Sequence, residues 1–150
     1  MASDLNEMKI VFRGKKKIDA EFEGFTVKTD QPFDGDGDNS APSPFDLFLA
    51  SIGTCAAVFI QSFCEKRKIS TEGIELTEKV EWDEGKHLVR KVTLNLSLPN
   101  GFPEKYRESV INAANLCTVK RNLHEPPEIE IRLSAKVRQI ADWNSDECPH

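Results

Sequence analysis

The chain has 150 residues, enough for one packed domain and too few for two comfortable ones. Its 39% hydrophobic and 30% charged content are those of a globular chain, not a disordered one. A net charge of −5 argues against nucleic-acid binding, which requires a basic excess or stripe.

The first nine residues, MASDLNEMK, show no basic region, apolar run or cleavage site, so no signal peptide is read there and the expected location is the cytoplasm. Three short strands are expected next, at 8–13, 18–22 and 25–28, with turns at 14–17 and at Gly24. Lys15, Lys16 and Lys17 read as a solvated hairpin tip rather than an anion site. The stretch DQPFDGDGDNSAPSP is rich in Asp, Gly and Pro and reads as a loop. Asp34, Asp36 and Asp38 match the opening of a calcium loop, but Asn39 and Phe45 stand where that loop needs Gly and Glu.

A long helix is expected from Ser43 to about Lys68. Ser43 suits the N-cap, Pro44 the first helical position and Asp46 the capping-box position three residues on. The helix is apolar on nearly all faces, so burial on most sides is expected, with a partner subunit closing what one chain cannot. Asp46, Ser51, Thr54, Gln61 and Ser62 interrupt the apolar run, which favours a buried helix over a membrane span.

Strand periodicity returns at 74–82 and 88–98, joined by a turn at 83–86. Residues 104–116 read as an amphipathic helix with Tyr106, Val110, Ile111 and Ala114 inward, and 117–123 as a further short helix. Residues 128–137 read as a last strand and 141–150 as a frayed tail. Grouped strands and helices in this order make the fold α+β, a single domain with its core at about 8–138.

The chemistry rests on thiols. His87, His124 and His150 sit in no metal spacing, and no nucleotide-binding or acyl-transfer motif is present. Cys55, Cys64, Cys117 and Cys148 include no CxxC pair, and reduced thiols are the default. Cys55 and Cys64 are nine residues apart, about 180° around one helix, so they face opposite ways. Cys117 precedes Lys120 and Arg121 at the start of a short helix, a setting that favours a thiolate on it. A cysteine such as Cys55 in an apolar helix more often packs than reacts.

The segments APSPFDLFLASIGTCAA and AANLCTVKRNL, with the KTDQP lead-in and the FPEKY segment, resemble the OsmC/Ohr family (osmotically inducible protein C and organic hydroperoxide resistance proteins) over about residues 8–138. That resemblance implies antiparallel sheets wrapped around long buried helices in an intertwined homodimer. It implies a stress-response thiol peroxidase that uses no metal or bound cofactor. Cys55 would be the peroxidatic cysteine and Cys117 the resolving one, with an external dithiol as reductant. The family's thiolate-stabilising arginine would correspond to Arg13. Its helix-start carboxylate would fall at Phe45, which makes neighbouring Asp46 the nearest acid. Expected partners are a second copy, a small hydroperoxide and a thiol reductant, with neither nucleic acid nor membrane. The alternative reading is a dimer of this fold that holds an apolar small molecule with little turnover.

Overall fold

The structure is a computed structural model and describes residues 5–133. Strands β1 (Lys9–Phe12), β2 (Ile18–Phe22) and β3 (Phe25–Thr29) form an antiparallel meander. Its turns lie where the glycines are. Gly24 has φ +81°, a conformation that costs a side-chain-bearing residue dearly.

The acidic loop that follows is folded around one carboxylate. Asp30 is fully buried. Its Oδ2 accepts from the Ser40 hydroxyl at 2.7 Å and from the amides of Ser40 and Asp38 at 3.0 and 3.2 Å, while Oδ1 accepts from the Gln31 amide at 2.8 Å. These bonds, the hydroxyl of Ser40 first, hold the Asp30 carboxyl at a pKa of about 2. At Gly37 a Cβ would lie 1.8 Å from the Gln31 carbonyl oxygen, so the loop closes there only with glycine. Lys15 and Lys17 of the hairpin tip each reach Asp38 at 2.8 Å, tying the meander to the loop.

The loop delivers the chain to α1 (Pro44–Lys66), whose start is capped as the sequence indicates. The Asp46 amide donates to Ser43 Oγ at 3.1 Å, and the Ser43 amide donates to Asp46 Oδ2 at 2.9 Å. Burial differs from the expectation. Only Ile52, Ala56, Ile60, Phe63 and Cys64 are buried, a single stripe, and Val58 is 61% exposed. The reason is that α2, α3 and β4 all meet the helix and leave its remaining faces bare within one chain.

Strands β4 (Glu75–Asp83) and β5 (Leu88–Ser97) form a hairpin. Asp83 Oδ1 accepts the Gly85 and Lys86 amides in its turn. The half-buried face of β4 carries Leu76, Glu78 and Val80, opposite Leu96, Leu94 and Val92. A charge in that row is unusual. Glu78 Oε1 is buried without a hydrogen-bond partner, and Oε2 lies where a Cβ on Gly53 would come within 2.7 Å. Burial pushes the Glu78 carboxyl above its ordinary value, only partly opposed by the Gly53 amide.

A 3₁₀ turn, Glu104–Tyr106, leads into α2 (Arg107–Ala114), shorter than the helix expected at 104–116. Val110 is its buried contact, whereas Ile111 is 52% exposed and not the inward residue the sequence suggested. The core gathers Ile60, Phe63, Cys64, Phe102 and Val110 under flanking Leu76, Leu96 and Tyr106. Helix α3 (Thr118–His124) follows at once. The expected last strand is not formed over 128–133, where Ile129, Ile131 and Leu133 alternate with polar residues but are almost fully exposed. They pair with none of the sheet edges among the described residues; 134–137 and the tail lie outside those residues.

Candidate active site: two thiols between two helices

The sequence places Cys55 and Cys117 sixty-two positions apart, and the fold brings them together, each thiol bearing on the other's ionisation. Cys55 sits mid-way along α1, half-buried, on the side that meets α3. Cys117 is the N-cap of α3 and is 2% exposed. Its Sγ accepts the Lys120 amide at 3.5 Å and lies 4.0 Å from the Ile52 carbonyl oxygen, which anchors it against α1. Both thiols are free.

The two sulfurs have opposite electrostatics. Burial pushes the Cys55 thiol up, yet its pKa ends below the ordinary thiol value. The Val119 amide, the Cys117 thiol, the Thr118 amide and the charge of Arg121 together outweigh that burial. Cys117 moves the other way. Burial raises its pKa first, the Lys120 amide opposes this, and the hydrogen bond and charge of Cys55 raise it further. The thiolate expected on Cys117 is therefore corrected: the head of α3 serves Cys55, which faces its amides, while Cys117 keeps its proton, aimed at the Ile52 carbonyl oxygen.

Arg13 and Asp46 lie in other surroundings. The Arg13 guanidinium bonds Asp19 Oδ2 at 2.9 Å and also Glu21, across the β1–β2 ladder. Asp46 spends its carboxylate on the Ser43 cap, which lowers its pKa. Among the described residues, the cation bearing on Cys55 is Arg121. Sequence reasoning noted Arg121 beside Cys117 but had no means of aiming it at Cys55. It missed the Thr118 and Val119 amides altogether, since backbone donors carry no residue-type signal. Cys64 is fully buried in the core near Arg67, with its thiol pushed up by burial. No cluster of three or more His, Cys, Asp or Glu that could hold a metal occurs among the described residues.

A cavity of about 320 Å³ opens beside the pair. Ile52, Ala56, Leu94 and Leu96 give it an apolar floor, Cys117 stands in its wall, and Lys120 lies at the rim, its Nζ 2.7 Å from Asn115 Oδ1. Cys55 is not part of that lining.

Solved structures share this architecture. A protein from Psychrobacter arcticus, named for osmotic stress induction and a detoxification response, matches with a TM-score of 0.68 at 20% identity over 81% of this chain and 90% of that one. An OsmC like protein from Mycoplasma pneumoniae matches with a TM-score of 0.66 at 13% identity, over 83% and 89% of the two chains. An organic hydroperoxide resistance protein OsmC from Legionella pneumophila matches with a TM-score of 0.53 at 18% identity, over 82% and 90%. At these identities the likeness is one of fold. No curated protein matches the chain. The family model described as OsmC-like protein matches residues 35–132, more than half the chain and both cysteine segments. With its mixed helix and antiparallel-strand architecture, the chain belongs to the OsmC-like protein family.

Proposed function

We propose that this protein is a cysteine-based hydroperoxide reductase. The observation that carries the reading is the Cys55 sulfur, held toward the thiolate by the head of α3 with the protonated Cys117 thiol beside it. A peroxidatic thiol needs both a low pKa and a second sulfur to resolve it. The hydroperoxide resistance named for the Legionella pneumophila structure supports the same chemistry.

The Cys55 thiolate attacks the distal oxygen of the hydroperoxide. The O–O bond breaks, the leaving alkoxide takes a proton and departs as an alcohol, and Cys55 becomes a sulfenic acid. The Cys117 sulfur then attacks the Cys55 sulfur, its proton leaves with the hydroxyl as water, and a disulfide forms. Two electrons from an external dithiol restore both thiols. No resident cofactor enters this cycle.

The reading includes a homodimer, with the cytoplasm as its location. Its support is the apolar surface one chain leaves uncovered: Val58 on α1 and the row Ile129, Ile131 and Leu133. The apolar cavity favours a second reading, in which the dimer holds a small apolar molecule with little turnover. Thiol counting with tert-butyl hydroperoxide separates the two. Peroxidase chemistry predicts that Cys55 and Cys117 are lost together, faster than free cysteine, and that Cys55→Ser abolishes peroxide consumption. Oxidation no faster than free cysteine leaves the binding reading.

A further inference from the structure

We propose that Asn100 is a site of spontaneous covalent modification, where loss of the side-chain amide reroutes the backbone through an isoaspartate and loosens the core anchor Phe102. The inference is independent of the thiol pair and rests on the turn that follows β5. Residues 99–102 form that turn, closed by the Phe102 amide donating to the Pro99 carbonyl oxygen at 2.9 Å. Its two central residues, Asn100 and Gly101, are exposed.

The reaction needs a carboxamide, the next backbone nitrogen and room for them to meet. Among the described residues, neither the Asn100 side chain nor the Gly101 amide has a hydrogen-bond partner. A Cβ on Gly101 would meet nothing within 4 Å, so its nitrogen stands in open space with no side chain of its own to shield it. Asn100 is the one asparagine in the sequence followed by glycine. Asn39 offers the contrast on another exposed loop. The next nitrogen, that of Ser40, is held by the Asp30 carboxylate at 3.0 Å. Asn95, Asn112 and Asn122 sit in β5, α2 and α3, where the backbone is fixed.

The Gly101 nitrogen, once its proton has gone to hydroxide, attacks the side-chain carbonyl carbon of Asn100. A new C–N bond forms, the bond to the side-chain nitrogen breaks, and that nitrogen takes a proton and leaves as ammonia. Water then opens the five-membered succinimide. Opening at the former backbone carbonyl gives isoaspartate, and opening at the side-chain carbonyl gives aspartate. One water enters and one ammonia leaves, with no oxidant or reductant. Isoaspartate adds one backbone carbon, about 1.5 Å of chain, to a turn held at both ends. Pro99 lies against Gly73, where a Cβ would come within 3.3 Å of it. Phe102 is buried with Ile60, Phe63, Cys64 and Val110. The added length displaces Phe102 and opens the core over Cys64.

The test holds full-length protein, kept reduced, in warm and mildly alkaline buffer and maps its peptides by mass spectrometry over time. The expected result is exchange of ammonia for water at Asn100, mainly as isoaspartate, at a rate proportional to hydroxide, while Asn39 stays an amide. An intact Asn100, or Asn39 converted as fast, overturns the proposal. Gly101→Ala, which the open space admits and which lies outside the positive-φ region, is expected to slow conversion severalfold; an unchanged rate overturns it. Iodoacetamide is expected to alkylate Cys64 in the aged protein and to leave it untouched in fresh protein. Asn100→Asp, which gains the charge without the extra carbon, is expected to keep Cys64 protected. Alkylation of Cys64 in Asn100→Asp, or full protection in protein converted to isoaspartate, overturns the proposal.

Discussion

The Cys55 sulfur owes its lowered pKa to groups that surround it in space, not to neighbours in sequence. Burial alone would keep a thiol in an apolar helix protonated. Two backbone amides, one thiol donor and one guanidinium reverse that outcome. Because the net shift is downward, the thiolate population persists below the ordinary thiol range, and the proposed reaction with hydroperoxide is expected to fall only as pH drops through this lowered pKa. Arg121→Ala removes the charge contribution and moves that midpoint to higher pH, as followed by thiolate absorbance at 240 nm. An unchanged midpoint would show that Arg121 plays no part. Glu78 carries the opposite sign. Its carboxyl is raised by burial, so its ionisation destabilises the fold as pH rises from the ordinary carboxylate range through the raised value, and protonation at acid pH relieves this. Glu78→Leu is expected to raise stability by about 1 kcal/mol at pH 7, with less gain near pH 4, in urea melts at both. A loss of stability at pH 7 would mean that the carboxylate has a partner in the assembled protein.

At the scale of elements, α1 depends on its first turn. The capping box satisfies amides that would otherwise be bare, and Ser43→Ala is expected to cost about 1 kcal/mol by denaturant unfolding. This cap was readable from Ser43, Pro44 and Asp46 alone, because a reciprocal side-chain and backbone pairing has a sequence signature. Glu78 was passed over in the sequence, although its position carries a signal. The period of two through Leu76 and Val80 puts it on the apolar face, a conflict between pattern and residue type. The loop around Asp30 was not readable. A buried carboxylate wrapped by amides and an Asp-rich surface turn have the same composition, and only the fold separates Asp30 from Asp34, Asp36 and Asp38. Asp30→Ala is expected to lower the melting temperature through orphaned loop amides.

For the whole molecule, strand order and helix positions followed the sequence closely, since hydrophobic periodicity and turn residues are local signals. Two features depend on more than local signals. The pairing of Cys55 with Cys117 is tertiary, and came into view beforehand through resemblance to a family, not through spacing. The alternation over 128–133 has the period of a strand, but a strand forms only when paired, and this segment pairs with neither sheet among the described residues. Sedimentation is expected to give a dimer near twice 16.9 kDa, and Ile131→Lys to shift it toward monomer. A stable wild-type monomer would contradict the dimer.

The seven residues of α3 are too few to hold a helix unaided. Its opening amides at Thr118, Val119 and Lys120 lean on the two sulfurs, as N-cap acceptor or as thiolate. Joining those sulfurs withdraws the negative charge from Cys55 and leaves disulfide sulfurs, which are weaker acceptors, facing the α3 amides. Oxidation should therefore loosen the first turn of α3. Amide hydrogen exchange at residues 118–120 is expected to quicken in the disulfide form and slow again on reduction, so the electron count of the site is written in the protection of three backbone protons.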